Sequence, residues 1–205
     1  MLRKVLLAVA IGTLGCWNPF SPPTVEPPGG QNELPPLDTP EHVLENLNYA
    51  MNHKDIEIYE LVLDDDYWFR EPNEFDDELD EGWGKERDVE LVRKVFEFFD
   101  VFEYKLLGGQ RWREFGSDTD SLQAQLGVDI GDKILEKGDP DDHPGEVWEV
   151  FSRPVDMYMY NYAKDEGYIV NQRFEFKMRK GKDGWRIVRW TDSVSYTHLT
   201  LPTKA

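Results

Sequence analysis

Few residues in this chain have types and spacings that could do chemistry, and each also has a structural use. His42 falls in the first turn of a predicted helix, and His53 falls at that helix's end, where a cation satisfies terminal carbonyls. His143 sits in an acidic loop. Tyr158, Tyr160 and Tyr162 recur with the period of a strand, so they share one face and could line a pocket with polar tips; cross-strand packing is the commoner use of such a stripe. Trp185 and Trp190 on the last predicted strand could line the same pocket, while Asp192 beside them reads as a cap or turn residue. The acid runs "LDDDY", "NEFDDELDEG" and "GDPDDHPG" offer oxygens to a hard cation, yet neither Asp64-Asp65-Asp66 nor Asp139 to His143 has the alternating ligand spacing of a calcium loop. No Ser-His-Asp order, metal-ligand spacing, phosphate loop or paired carboxylates on a strand can be assembled. The sequence therefore nominates no catalytic residue, no metal and no cofactor.

The lone cysteine is different. Arg3 and Lys4 precede an apolar and small run from Val5 to Leu14, which is too short for the ~20 residues of a spanning helix. Thr13-Leu14-Gly15-Cys16 resembles the lipobox of bacterial lipoproteins, with Thr13 where Leu is usual; in that family the cysteine is acylated and the peptide is cut before it. Residues 1–15 then read as a signal peptide. Trp17 to Pro36 contains seven prolines and "PPGG", the composition of an extended tether. One cysteine also rules out an internal disulfide. The expected place is the bacterial cell envelope, at the outer membrane or the periplasmic face of the inner one. At the other end, "VSYTHLTLPTKA" (194–205) resembles a translated sequencing-library adapter and is expected to be an assembly artefact, so His198 carries no argument.

Without Arg3, Lys4 and Lys204 the chain holds 20 basic and 41 acidic residues, a formal charge of −21. Such a surface repels nucleic acid and anionic lipid headgroups, which excludes nucleic-acid binding. Residues 37–193, about 155 in number, have the length of one domain. Thr39-Pro40-Glu41 predicts a helix start, and Val43, Leu44, Leu47, Ala50 and Met51 form its apolar face. A second helix starts at Asp55 and ends at the acid run, and "YWFRE" follows as a short strand closed by Pro72. "KERDVELVRKVFEFFD" predicts a third helix with Leu91, Val92, Val95, Phe96 and Phe99 on one stripe. "VFEYKLL" alternates as a half-buried strand. The weak pattern from Gly116 to Gly145 reads as an insertion holding one strand or helical turn. Three strands close the domain: Glu146 to Tyr162 interrupted at Pro154 by a bulge or an edge, Tyr168 to Arg179, and Trp185 to Trp190.

Helices first and long antiparallel strands afterwards indicate an α+β domain. The order of elements from Asp38 to Asp192, ending in Gly184-Trp185-Arg186-Ile187 with Trp190 and Asp192, resembles the nuclear transport factor 2-like superfamily, especially its polyketide-cyclase-like members and exported lipoproteins. That resemblance implies three N-terminal helices packed in a strongly curved antiparallel sheet that forms a cone around a cavity. The acidic loop at Phe75 to Gly84 and the insertion after Gly116 would then cover the mouth.

The superfamily holds isomerases, dehydratases and cyclases as well as inert modules, so the fold does not decide the function. With no catalytic set in view, the leading expectation is a non-catalytic, lipid-anchored envelope protein that binds a small apolar ligand or a partner protein. A small-molecule isomerase or dehydratase is the first alternative, and a homodimeric assembly module is the second. The cavity discriminates: a buried carboxylate or His opposite a Tyr supports the enzyme, whereas a filling of Trp and Phe supports assembly.

Overall fold

The computed structural model describes residues 34–70 and 82–192, together with the backbone of Leu199–Thr200. The expected signal peptide, Cys16, most of the tether, most of the acidic loop and nearly all of the expected artefactual tail lie outside the described residues.

Local chemistry sets the first two helices. Thr39 Oγ1 accepts the His42 N–H at 3.2 Å to cap α1 (Pro40–His53), with Pro40 in its first turn. Lys54 ends it in the left-handed region at φ 54°. Asp55 caps α2 (Ile56–Val62) by accepting the Glu57 and Ile58 N–H groups, both at 3.1 Å. The third helix, α3, spans Lys85–Phe98, and a fourth short helix, α4 (Asp120–Leu126), lies within the insertion.

The strands are β1 (Leu63–Arg70), β2 (Gly82–Gly84), β3 (Val101–Leu106), β4 (Gln110–Phe115), β5 (Lys133–Ile134), β6 (Val147–Asn161), β7 (Glu166–Gly181), β8 (Gly184–Asp192) and β9 (Leu199–Thr200). They form one sheet in the order β2-β1-β8-β7-β6-β4-β5, with β3 beside β4 on the same edge of β6 and β9 paired to β7. The long pairs β6–β7 and β7–β8 are antiparallel; β1 with β8 and β4 with β5 are parallel. The first strand starts directly after α2, so the run Asp64 to Asp66 is strand and not a helix end. Opposite β8 that run bulges, since Leu63 faces Ile187 and Trp68 already faces Arg189. Arg179 gathers the bulge by donating to Asp64 and Asp66, each at 2.6 Å.

Pro154 does not break β6. The strand keeps register with β7 straight through Pro154↔Arg173. The interruption falls on the other edge, where β4 pairs as far as Ser152 and β3 begins at Val155. Leu107 to Gly109 turn between those partners, so the N–H that proline lacks has no strand to reach. Gly109 is required there, because a Cβ would stand 2.0 Å from the Ser152 carbonyl oxygen.

Register divides the sheet into two faces. One row across it reads Phe69–Trp190–Phe176–Phe151–Arg111, and this face packs on the helices with Val43, Leu47, Ala50, Tyr59 and Phe96 in the core. The neighbouring row, Trp68–Arg189–Lys177–Val150–Trp112, belongs to the reverse face. The insertion lies on that reverse face and supplies nothing to the cavity among the described residues, which corrects the expectation that it covers the mouth. Its Asp141 accepts from Lys177 Nζ at 2.8 Å, and its His143 stacks on Trp148 at 3.8 Å. Lys177 also donates to Glu114 at 2.8 Å, and Glu114 is 1% exposed. Burial alone would lower the Lys177 pKa, but Glu114 and Asp141 hold it above the ordinary lysine value.

Candidate active site

A cavity of about 330 Å³ opens between α3 and the helix-facing side of the sheet. Its walls are Met51, Phe69, Trp83, Phe102, Met157, Met159, Phe174 and Trp190, with Leu91, Val92 and Val95 of α3 along its side. Asp88, on the first turns of α3 and 4% exposed, is the one carboxylate among these described lining residues. Tyr59 Oη donates to its Oδ2 at 2.6 Å and Trp83 Nε1 donates to its Oδ1 at 2.7 Å. Burial raises the Asp88 pKa above the ordinary carboxylate value, and the hydrogen bonds from Tyr59 and Trp83 only partly offset it. A carboxyl group held this way in an apolar wall is a better base than an exposed one.

Other polar groups share the wall. Tyr104 and Trp190 are 2% and 5% exposed, and no described residue accepts a hydrogen bond from Tyr104 Oη or Trp190 Nε1. Burial pushes the Tyr59, Tyr67 and Tyr104 hydroxyls well above the ordinary tyrosine pKa, so they stay protonated donors. Gln172 lines the cavity with its amide anchored, because its Nε2 donates to Asp192 Oδ2 at 2.8 Å. A larger cleft of about 560 Å³ runs between α2, Lys85 and the β7–β8 turn, but much of its wall is exposed charged side chains such as Glu57, Glu60, Asp65 and Lys182. Solvated chains of both signs offer no low-dielectric environment, so the smaller cavity is the better site. Among the described residues no three His, Cys, Asp or Glu side chains stand close enough to hold a metal ion.

No protein-family model matches the sequence, and no curated protein matches it either. Solved structures do match. A protein from Novosphingobium aromaticivorans described as an aromatic ring hydroxylase is 14% identical, with a TM-score of 0.52 over 78% of this chain and 90% of that one. A second protein from that organism, described as a scytalone dehydratase, is 10% identical with a TM-score of 0.52 over 80% and 87% of the two chains. A type 2 hexachlorocyclohexane dehydrochlorinase is 6% identical with a TM-score of 0.50 over 78% and 84%. The chain has the nuclear transport factor 2-like fold. At such identities the likeness speaks for the fold alone.

Within this nuclear transport factor 2-like cone the sequence candidates scatter. Trp190 lines the cavity. Trp185 does not; it packs against the core and its N–H donates to the Leu37 carbonyl at 2.7 Å. The tyrosine stripe is out of phase: Met157 and Met159 face the cavity, so Tyr158 and Tyr160 face away, and Tyr162 is 68% exposed. The parity of β6 follows from its other contacts, since buried Phe151 and Val155 meet the core on the same side as Met157. His42 bonds to Asp38, His53 stacks on Tyr49, and both ring nitrogens of His143 face backbone carbonyls. Asp192 does more than cap, since it is buried and fixes Gln172. Asp88 itself escaped the sequence reading among the charges of "KERDVE". Its signal was there, because Asp88, Leu91, Val92 and Val95 stand at the i, i+3, i+4, i+7 positions of one helical face.

Proposed function

We propose that the domain is a small-molecule isomerase or dehydratase in which Asp88 moves the proton. A buried, hydrogen-bonded carboxylate beside tyrosine hydroxyls in an apolar cavity carries this reading. It is the arrangement that separates an enzyme from an assembly module in a cone of this kind. Asp88 would take a proton from a carbon acid of the substrate. The electron pair of the broken C–H bond then shifts into the substrate, and the proton either returns at another carbon or a leaving group departs. Tyr59 and Trp83 hold both carboxylate oxygens, which fixes the orientation of the base. Two structural neighbours are named for eliminations, a dehydratase and a dehydrochlorinase, and this supports the same reaction class.

The test uses 5-nitrobenzisoxazole, a small flat carbon acid. A base takes its ring C–H proton, the N–O bond breaks, and a coloured cyanophenolate forms. We expect saturable turnover by the intact chain and a fall of about a hundredfold or more in Asp88→Asn, the scale of a positioned general base. Equal rates in both proteins would overturn the assignment of Asp88 and return the domain to a non-catalytic binding role.

We further propose that the chain is a lipoprotein of the bacterial envelope, held through acylated Cys16. The support is sequence: a short apolar run after Arg3 and Lys4, Gly15-Cys16 at its end, and a proline-rich stretch after it.

A further inference from the structure

The insertion carries an apolar tip. Leu126 ends α4, and Val128, Ile130 and Ile134 follow it; Ile130 is fully exposed and the other three are about half exposed. One guanidinium gathers this stretch, since Arg113 Nη2 donates to the Gly127 carbonyl and Asp129 at 3.0 Å each and to Asp132 at 2.6 Å. Asp132 also accepts from the Asp129 N–H at 2.8 Å, so the turn is pinned with its aliphatic side chains in water. Single exposed aliphatics are ordinary, but four held together on a fixed turn mark an interaction surface. Charge and position choose its occupant. Asp129 and Asp132 against Arg113 and Lys133 leave the tip neutral, on a chain whose formal charge without its signal and tail is −21. The tip also shares one end of the sheet with the point where the N-terminal segment joins the domain. Ile134 pairs with Phe115, the last residue of β4, and Phe115 faces Val147, the first of β6. At that same end β7 turns into β8, with Gly181 opposite Gly184, and the Trp185 N–H donates to the Leu37 carbonyl at 2.7 Å. The twenty residues from Trp17 to Pro36 reach about 70 Å at full extension. A domain anchored through Cys16 therefore meets its own bilayer at an effective concentration on the order of a millimolar, which lets weak apolar contacts count. A partner protein or a second copy has no such advantage.

We infer that the tip formed by Leu126, Val128, Ile130 and Ile134 rests in the net-neutral phospholipid surface that anchors the chain, and so sets the domain in one orientation. The inference rests on the Cys16 anchor proposed above and is independent of Asp88. Aliphatic side chains on a turn of no net charge can enter the headgroup boundary without the repulsion that the acids elsewhere would meet. The cavity residues Met157, Met159, Val170 and Gln172 lie toward the opposite end of the β6–β7 pair. A domain docked by its tip thus takes its small molecule from solution and not from the bilayer.

The test uses the processed, acylated chain in phosphatidylcholine vesicles, with one added cysteine that carries the dye nitrobenzoxadiazole. Acylation consumes the Cys16 thiol, so only the added cysteine takes the label. At Ile130→Cys the emission should be shifted to the blue and severalfold brighter than at Tyr162→Cys, an exposed position just past the far end of β6, and nitroxide-bearing lipid should quench it. The dye is itself apolar, so a second variant guards against insertion driven by the label. Dye at Ile134→Cys should give the same signal and lose it when Ile130→Asp is added. Water-like emission from both Ile130→Cys and Tyr162→Cys in an anchored chain would overturn the inference and leave the anchor standing. Equal lipid-like emission from those two variants, or a signal at Ile134→Cys that Ile130→Asp leaves unchanged, would overturn it as well. A signal that appears only when envelope proteins are added would assign the tip to a protein partner instead. A chain with no acyl mass on Cys16 would overturn the anchor and the inference with it.

Discussion

Trp83 Nε1 donates to Asp88 Oδ1 at 2.7 Å while the Trp83 ring stacks on Phe69 at 4.5 Å, so one side chain links the short strand β2 both to the cavity wall and to its base. The two contacts can be separated. In Trp83→Phe the stacking partner remains and the hydrogen bond is lost. A donor to the ionised form lowers a carboxyl pKa, so its removal should raise that of Asp88 further. The pH profile of 5-nitrobenzisoxazole turnover should move to higher pH by up to about one unit. A profile that stays in place would show that Trp83 does not tune the base.

Burial of Asp88 also has a signature in stability. Its folded pKa lies above the ordinary carboxylate value, so the folded chain holds this proton to higher pH than the unfolded chain does. Below the ordinary value of about 4 the group is neutral in both states and costs nothing. As pH rises through the folded pKa of Asp88, the buried charge appears and destabilises the fold. Asparagine does not titrate, so urea midpoints at about pH 4 and pH 7 should show the unaltered chain losing stability relative to Asp88→Asn as pH rises. A constant difference, or one of opposite sign, would mean that the carboxylate is not effectively desolvated.

What could be read from sequence divides by range. The caps Thr39 and Asp55 lie within three residues of the N–H groups they bind, and both starts were legible. The alternation of Tyr158, Tyr160 and Tyr162 was legible as well, but not its phase. Met157 and Met159 are as apolar as the tyrosines, and only contacts made by Phe151 and Val155 with distant elements choose between the two parities. Nothing near Lys177 in the sequence marks it as buried, because its partners Glu114 and Asp141 are 63 and 36 residues away. An insertion with weak periodicity gave no hint that it would cover a sheet face.

The phase of β6 can be tested directly. Met157→Asp places a charge in the apolar cavity and should cost several kcal/mol, with a matching loss of urea midpoint. Tyr158→Asp changes a partly exposed position on the opposite face and should stay within roughly 1 kcal/mol of the unaltered chain. Reversed costs would place the tyrosines in the cavity after all.

For the anchor, Cys16→Ser removes the thiol to which acyl chains attach. Expressed in a bacterium that processes lipoproteins, the unaltered chain should partition into the detergent phase and the variant into the aqueous phase. Two acyl chains give stable attachment where one gives marginal binding, so the expected shift is nearly complete. A variant that still follows the detergent would rule out anchoring through Cys16.

Lys177 on the reverse face tests whether the insertion is bound by its charges. Glu114 lies 2.8 Å from Lys177 Nζ on one side and Asp141 at the same distance on another, with Arg70 and Arg189 also near Asp141. Burial alone would raise the Asp141 pKa, but Lys177, Arg70 and Arg189 hold it below the ordinary value. In Lys177→Met, Glu114 loses its buried partner and Asp141 loses its nearest cation. The cost should be about 3–5 kcal/mol, because the buried Glu114 keeps only one cation, the exposed Lys133 3.4 Å away, and a buried charge that loses its close partner loses far more than an exposed pair is worth. Lys94→Ala breaks the exposed pair with Glu90 on α3 and should cost less than about 0.5 kcal/mol. Restoring neutrality in the triple variant Glu114→Gln, Asp141→Asn, Lys177→Met should recover most of the loss. If the triple variant is no better than Lys177→Met, packing of the lysine stem and not charge pairing secures the insertion.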